Sequence, residues 1–423
     1  MGVIELGVVT PYEPAEPVRP DLRRYLIALV LLLSAGLLTG AAPIPQHSFT
    51  TLWRIPINGN EDSFAMNPGG VYVLSSTGER RVTAYDPRTG KIRWTRMVRD
   101  STSWIDAAGG GVLLAPTSDG STSQTIALED GTGRELWRQP GDSLTVHAGL
   151  VLLIQGDPEM SAVRSLRVVD LHTGTPVWSF TAGRRRTWIA TGDTDADRLV
   201  VATEDGDVTV HDFGSGRVVT HGWVPWPGAI ASPDQPPGVG VAGHTFFLPG
   251  TSSEQPAMTM YDTETLHERW RLSSRSIISF YECGPVFCLN DDNGLSVYDQ
   301  KTGQPLWHRP GEGYAAALHR DRLVLENGIG ARRVLVDART GRELADLGTS
   351  SLSYGDTGPV YSLALTHQPP GRTAIGELDE HTGRIDLRGA LDPAADYCQS
   401  TDRLLACYTG GSRLTITEIG RAP

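Results

Sequence analysis

One short element recurs along this chain and restricts its fold more than any other feature. Asp86-Pro87-Arg88-Thr89-Gly90 is followed by Trp94, Asp170-Leu171-His172-Thr173-Gly174 by Trp178, and Asp299-Gln300-Lys301-Thr302-Gly303 by Trp307. Glu129 to Gly133 with Trp137, and Asp262 to Leu266 with Trp270, are weaker copies. Asp212 to Gly216, Asp337 to Gly341 and Asp379 to Gly383 keep the turn and lose the tryptophan. The glycine position returns at a mean step of about 42 residues, the length of one four-stranded propeller blade.

Each part of the element has a physical reason. An aspartate accepts backbone N–H bonds across a tight turn. The glycine supplies the positive φ that closes a hairpin. Leu266 lacks that freedom, so its turn is expected to be altered. The tryptophan buries a large surface between neighbouring blades, where its N–H needs an acceptor. Alternating segments such as Arg81-Val82-Thr83-Ala84-Tyr85 precede the turns, and fuller apolar runs such as Val71-Tyr72-Val73-Leu74 lie further upstream. These read as half-buried and fully buried strands. No long helical pattern follows Ala42, so the fold class is all-β: a single β-propeller over residues 51–420.

A propeller must hide its sheet edges, and the chain ends provide a way. Leu404 to Tyr408 and Leu414 to Thr417 read as a strand pair lacking the strand that follows the turn. Leu52-Trp53-Arg54-Ile55-Pro56 reads as that missing strand, with Trp53 in the tryptophan slot. Eight turns plus this composite permit nine units; eight blades, the more usual size, is the expectation, with one degenerate unit merged or lost.

Residues 25–42 carry no charge and are mostly Leu, Ile, Val or Ala. At a rise of about 1.5 Å per residue they are just long enough to cross a bilayer core. Arg19, Arg23 and Arg24 precede them and the next basic residue is Arg54, which places the N-terminus in the cytoplasm and the propeller outside. The expected order is therefore a cytoplasmic tail at 1–24, a transmembrane signal-anchor helix at 25–42, a linker at 43–50 and the propeller. A cleaved signal peptide shares these charges, but Pro43 directly after Gly40-Ala41-Ala42 disfavours cleavage there.

The formal net charge of −12 argues against nucleic acid as a partner, since phosphate contacts need a basic footprint. Only Lys91 and Lys301 among the 37 basic residues are lysines, a bias associated with GC-rich genomes.

The stretch Ala84 to Trp94 fits the tryptophan-docking pattern A-x-D-x-x-T-G-x-x-x-W at every fixed position. The chain from 51 to about 420 thus resembles the PQQ-binding-like propeller superfamily, in particular membrane-anchored actinobacterial members. That superfamily includes quinoprotein dehydrogenases and an outer-membrane assembly factor. The resemblance implies that Asp86, Gly90, Trp94, Trp137, Asp170, Gly174, Trp178, Trp270, Asp299, Gly303, Trp307 and Trp53 build and dock blades and do not bind a cofactor. In the dehydrogenases adjacent cysteines lie over the quinone; this sequence has no Cys-Cys pair, and it lacks Cys-x-x-Cys-His, His-Glu-x-x-His, P-loop and Gly-x-Ser-x-Gly motifs. No cofactor, metal or catalytic residue is expected.

An even number of cysteines in an exported chain points to disulfides. Cys288 and Cys407 each lie seven residues before an outer strand, at Leu295 and Leu414, so local pairs Cys283–Cys288 and Cys398–Cys407 are expected. Asp193-x-Asp195-x-Asp197 imitates a calcium loop, but Arg198 stands where the sharp bend needs glycine. Arg184-Arg185-Arg186 reads as a solvated loop. Trp223 and Trp226, stiffened by five prolines between Pro225 and Pro237, form a candidate binding loop. The functional expectation is a binding or scaffold module for a protein, peptide or envelope polymer. The alternative is a propeller enzyme, such as a degenerate quinoprotein.

Overall fold

A computed structural model describes residues 49–420, apart from short interruptions of which the longest is 227–238. The expected tail, the anchor at 25–42 and most of the linker lie outside the described residues. Among the described residues, no helix is long and apolar enough to cross a membrane.

The strands assemble into nine antiparallel sheets of four strands each. In blade 1 the strands, A to D, are Ser63–Asn67, Gly70–Ser75, Arg81–Tyr85 and Ile92–Met97. Blades 2 to 8 repeat this order along the chain. The A strands of neighbouring blades touch one another, which places them around the central channel and the D strands at the rim. Blade 9 is composite: Ala395–Thr401, Leu404–Thr409 and Arg413–Ile419 are its A, B and C strands, and Phe49–Pro56 from the other end of the chain is its D strand. Trp53 pairs with Ile416 and Ile55 with Leu414.

The expectation of eight blades is therefore corrected to nine. Each of the eight turns closes its own C–D hairpin and none is merged, because each is followed by a complete D strand. The closing blade adds one without adding a turn, since its C and D strands, Arg413–Ile419 and Phe49–Pro56, are not consecutive in sequence.

The core is a series of sandwiches between successive blades. Val71, Tyr72, Val73 and Leu74 are all at most 4% exposed, so this B strand is buried on both faces and reads as a continuous apolar run. Tyr72, Leu74, Val82 and Ala84 of blade 1 pack against Leu113, Ala115, Ile126 and Leu128 of blade 2. The opposite face of blade 1 presents Val71 and Val73 to Leu414 and Ile416 of the closing blade.

Candidate functional site

The residues singled out by the repeat meet in pairs across blade junctions. Six tryptophans donate Nε1 to a carbonyl of the next blade: Trp53 to Pro87, Trp94 to Asp130, Trp137 to Leu171, Trp178 to Phe213, Trp270 to Gln300 and Trp307 to Ala338, at 2.8–3.2 Å. The acceptor is always the residue after the turn's acidic residue. The indole also lies on the turn glycine. A Cβ on Gly133 would come within 2.5 Å of the Trp94 ring, and one on Gly303 within 2.3 Å of Trp270. The glycine thus answers two demands: a φ near 70° and room for the ring.

The acidic residue organises the turn itself. Asp86 Oδ1 accepts from the Arg88 and Thr89 N–H groups and from Thr89 Oγ1. Hydrogen bonds from Thr89, Thr173 and Thr302 hold the carboxyls of Asp86, Asp170 and Asp299 below the usual carboxylate range. At Asp262, burial pushes the pKa up, but the Arg269 guanidinium and the Glu264 and Thr265 N–H groups outweigh it and bring the carboxyl down to about 2.

The expectation that Leu266 alters its turn is corrected. Leu266 adopts φ 57°, its N–H bonds Asp262 O at 2.9 Å, and Thr265 donates to Asp262 Oδ1 as in the other copies. The tryptophan slot of the preceding blade holds Thr220, paired with Val210 as Trp178 is with Val168. No indole covers the turn there, so a side chain fits.

Both expected disulfides are present, Cys283–Cys288 and Cys398–Cys407, and each staples an A strand to its B strand. All four cysteines are buried.

The candidate binding loop divides. Trp226 is 6% exposed, donates to Pro249 O and meets Trp188 edge-on at 5.0 Å, so it is a core residue between blades 4 and 5. Trp223 is 66% exposed at the end of its D strand, Val218–Trp223, yet its Nε1 is bonded to Asp205 O at 2.7 Å. The prolines from Pro227 to Pro237 lie outside the described residues, as do Asp193 and Asp195 of the calcium-like run and Arg184. Arg185 pairs with Asp205 and Asp197 with His147.

On the channel side, the A strands of blades 3 to 6 enclose a cavity of about 320 Å³. Leu144, Ala190, Val241 and Phe247 give it an apolar side, and Thr145, Thr191, Tyr281 and Glu282 a polar one of similar extent. Tyr281 accepts from the Ala315 N–H and stacks on Tyr314, whose ring is half exposed at the channel. Burial pushes the Tyr281 hydroxyl up to about 12. No motif marks these residues in the sequence; the only signal is their place on the strand that opens each blade. Among the described residues, no cluster of three or more His, Cys, Asp or Glu is arranged to hold a metal ion. Nor do the described walls of this cavity fit pyrroloquinoline quinone: that cofactor is a tricarboxylate, and the cavity offers it Glu282 and no arginine or lysine.

The family model described as outer membrane protein assembly factor BamB matches residues 50–164, 78–228 and 231–358. The chain belongs to this family. The solved structure of BamB from Moraxella catarrhalis is similar in fold at 15% identity and TM-score 0.46, covering 88% of this chain and all of that one. The computationally designed Ika8 protein is similar at 13% identity and TM-score 0.47, covering 87% and 99%. Quinohemoprotein alcohol dehydrogenase from Comamonas testosteroni is similar at 15% identity and TM-score 0.38, covering 85% and 67%. No curated protein matches the chain.

Proposed function

We propose that this BamB-family propeller is an extracytoplasmic binding platform, held to the membrane by residues 25–42, that engages a protein, peptide or envelope polymer. The observation that carries the reading is Trp223. A large aromatic ring is two-thirds exposed while its N–H is already tied to the backbone of the neighbouring turn. A ring held in this way loses little freedom when a partner covers it, and such pre-ordered aromatics supply much of the energy of protein interfaces. The family description, an assembly factor, supports a role carried out on other proteins.

A photo-crosslinking residue placed at Trp223 in the native envelope tests this reading. A specific adduct, competed away by excess parent chain but not by excess Trp223→Ala chain, is the expected result. If no adduct forms while purified protein with added quinone and Ca²⁺ oxidises an alcohol or sugar, the chain is an enzyme and the platform reading fails. N-terminal sequencing of the membrane fraction tests the anchor: a mature chain beginning near Pro43 would overturn it.

A further inference from the structure

The junction where the ring closes lacks a bridge that three other junctions carry. Two residues beyond the docking tryptophan, those three have a long side chain that bridges to the next blade, while Phe180, Gly222, Leu272, Leu347 and Gly389 hold that position elsewhere. Arg96 reaches Gly133 O at 3.2 Å and Glu135 at 2.9 Å. Arg309 reaches Gly341 O at 2.9 Å and Glu343 at 3.7 Å. Gln139 reaches Gly174 O at 3.0 Å. At the closure the same two positions are Ile55 and Ile92, which cannot bridge, and Ile92 is 64% exposed.

A groove of about 870 Å³ stands open there between blades 9 and 1. Its apolar surface comes from Ile55, Ile57, Val73, Tyr85 and Ile92. Arg413 of the closing blade and Arg81 of blade 1 also line it. Both are exposed, and among the described residues neither makes an ion pair or side-chain hydrogen bond. Arg81, Thr83 and Tyr85 alternate along their strand and all three line the groove. The carboxylate in the wall is already engaged: Asp62 accepts from the Asn58 N–H on one oxygen and from the Ser76 N–H and Oγ on the other.

We propose that this closure groove binds an extended acidic peptide of a partner protein, apolar side chains against the isoleucines and carboxylates on Arg81 and Arg413. Planar guanidinium groups suit carboxylates, and each of these two has all its donors available. On a chain of net charge −12 much of the surface repels such a segment, and here two unpaired cations stand beside exposed isoleucine surface in one groove. The inference deepens the platform reading by naming a second surface and the chemistry it takes.

Fluorescence anisotropy on the full chain in detergent tests it, with a short labelled peptide alternating aspartate and leucine as probe. Saturable binding that weakens as salt is raised is expected. Arg81→Glu with Arg413→Glu should weaken it by at least about tenfold. Because neither side chain makes an ion pair or a side-chain hydrogen bond among the described residues, the variant should melt close to the parent. Ile55→Arg with Ile92→Glu leaves the net charge unchanged and rebuilds the bridge seen between Arg96 and Glu135. It should weaken binding by a similar factor through occlusion alone. No saturable binding, equal affinity for a lysine-leucine peptide, unchanged affinity in both variants, or a response to phosphatidylglycerol vesicles in place of the peptide would each overturn the groove assignment. If the peptide binds while nothing crosslinks at position 223, the groove stands and the Trp223 platform reading fails. If crosslinking at 223 persists in a chain that ignores the peptide, the reverse holds.

Discussion

Trp53 donates its Nε1 hydrogen bond to the Pro87 carbonyl at 3.0 Å, and this contact joins the strand from one chain end to the first complete blade. The same indole covers Gly90, where a Cβ would come within 2.7 Å of the ring. The strand that closes the ring is therefore held on both sides: by its ladder to Arg413–Ile419 and by its tryptophan on blade 1.

Removing that tryptophan should loosen the closure first. Trp53→Ala is expected to cost about 3 kcal/mol, the lower end for a large aromatic because the ring is only half-buried. Trp53→Phe, which keeps much of the packing and loses the hydrogen bond, should cost about 1 kcal/mol. Denaturant midpoints give both values. Hydrogen exchange should show amides of Phe49–Pro56 losing protection ahead of those in blades 3 to 6.

The pairing of tryptophan with glycine across junctions predicts a compensating swap. Gly303→Ala must hold a positive φ and meet the Trp270 ring, so it should lose about 2–4 kcal/mol. Thr220→Trp should be destabilising in the parent because Leu266 stands on the turn the indole would cover. Adding Leu266→Gly should recover part of the loss, with a coupling of about 1–3 kcal/mol in the double-mutant cycle. Additive effects would show that the two positions do not meet.

Much of the ring is legible in the residues because blade construction is local. The turn acid, the turn glycine and the tryptophan lie within nine residues of one another, so their spacing survives as a motif, from Asp86 to Trp94 for example. The closing blade was legible for the same reason: Trp53 keeps its slot even at the far end of the chain. What the motif hides is tolerance. Leu266 shows that a left-handed turn accepts a branched side chain when nothing is docked on it, and a turn inventory by itself cannot tell a merged blade from a complete one. The surfaces were harder to see. Trp223 and Trp226 are three residues apart in one proline-rich segment, and only packing against Trp188 sends one inside. The closure groove joins residues 55, 81, 92 and 413, from both ends of the chain. A signal for it exists all the same, in the isoleucines that stand where other junctions carry Arg96 with Glu135 and Arg309 with Glu343.

The two tryptophans of the blade 4 connection should separate stability from binding. Trp226→Ala leaves a cavity beside Trp188 and Pro249 and should cost about 3–5 kcal/mol. Trp223→Ala exposes little that was buried and should cost within about 1 kcal/mol, mostly the hydrogen bond to Asp205. Thermal unfolding of the two variants, beside the ability of the second to compete for the crosslink formed at position 223, distinguishes them. Equal losses of stability would mean that Trp223 is held as structure and not presented as surface.

Cys398 and Cys407 face each other directly across the A–B pair of the closing blade, with Cα atoms 4.1 Å apart. Replacing both by serine should lower the unfolding free energy by about 2–3 kcal/mol, the chain-entropy value for a loop of this size. Since this blade is the one formed from both chain ends, the loss should appear as earlier opening of the ring, read by proteolysis near the closure. Replacing Cys283 and Cys288, inside a blade continuous in sequence, should lower the midpoint while leaving the closure resistant.

The turn carboxylates predict the direction of the acid limb. Asp86, Asp170, Asp212, Asp262, Asp299, Asp337 and Asp379 all have folded pKa values below the ordinary range. A depressed folded value means that the unfolded chain takes up the proton first. The stabilising contribution is thus fully present above the unfolded value of about 3.9 and is lost as pH falls through the folded one. For Asp262 that window runs down to about 2. The thermal midpoint should therefore show no loss from these groups above about pH 5 and should fall steadily between about pH 4 and 2. Asp262→Asn keeps the acceptor oxygen for the turn but loses the charge that meets Arg269, so it should lower the midpoint at neutral pH and flatten part of the acid limb. A variant that lowers the midpoint equally at pH 7 and pH 2 would show that the side chain acts through shape and not through its charge.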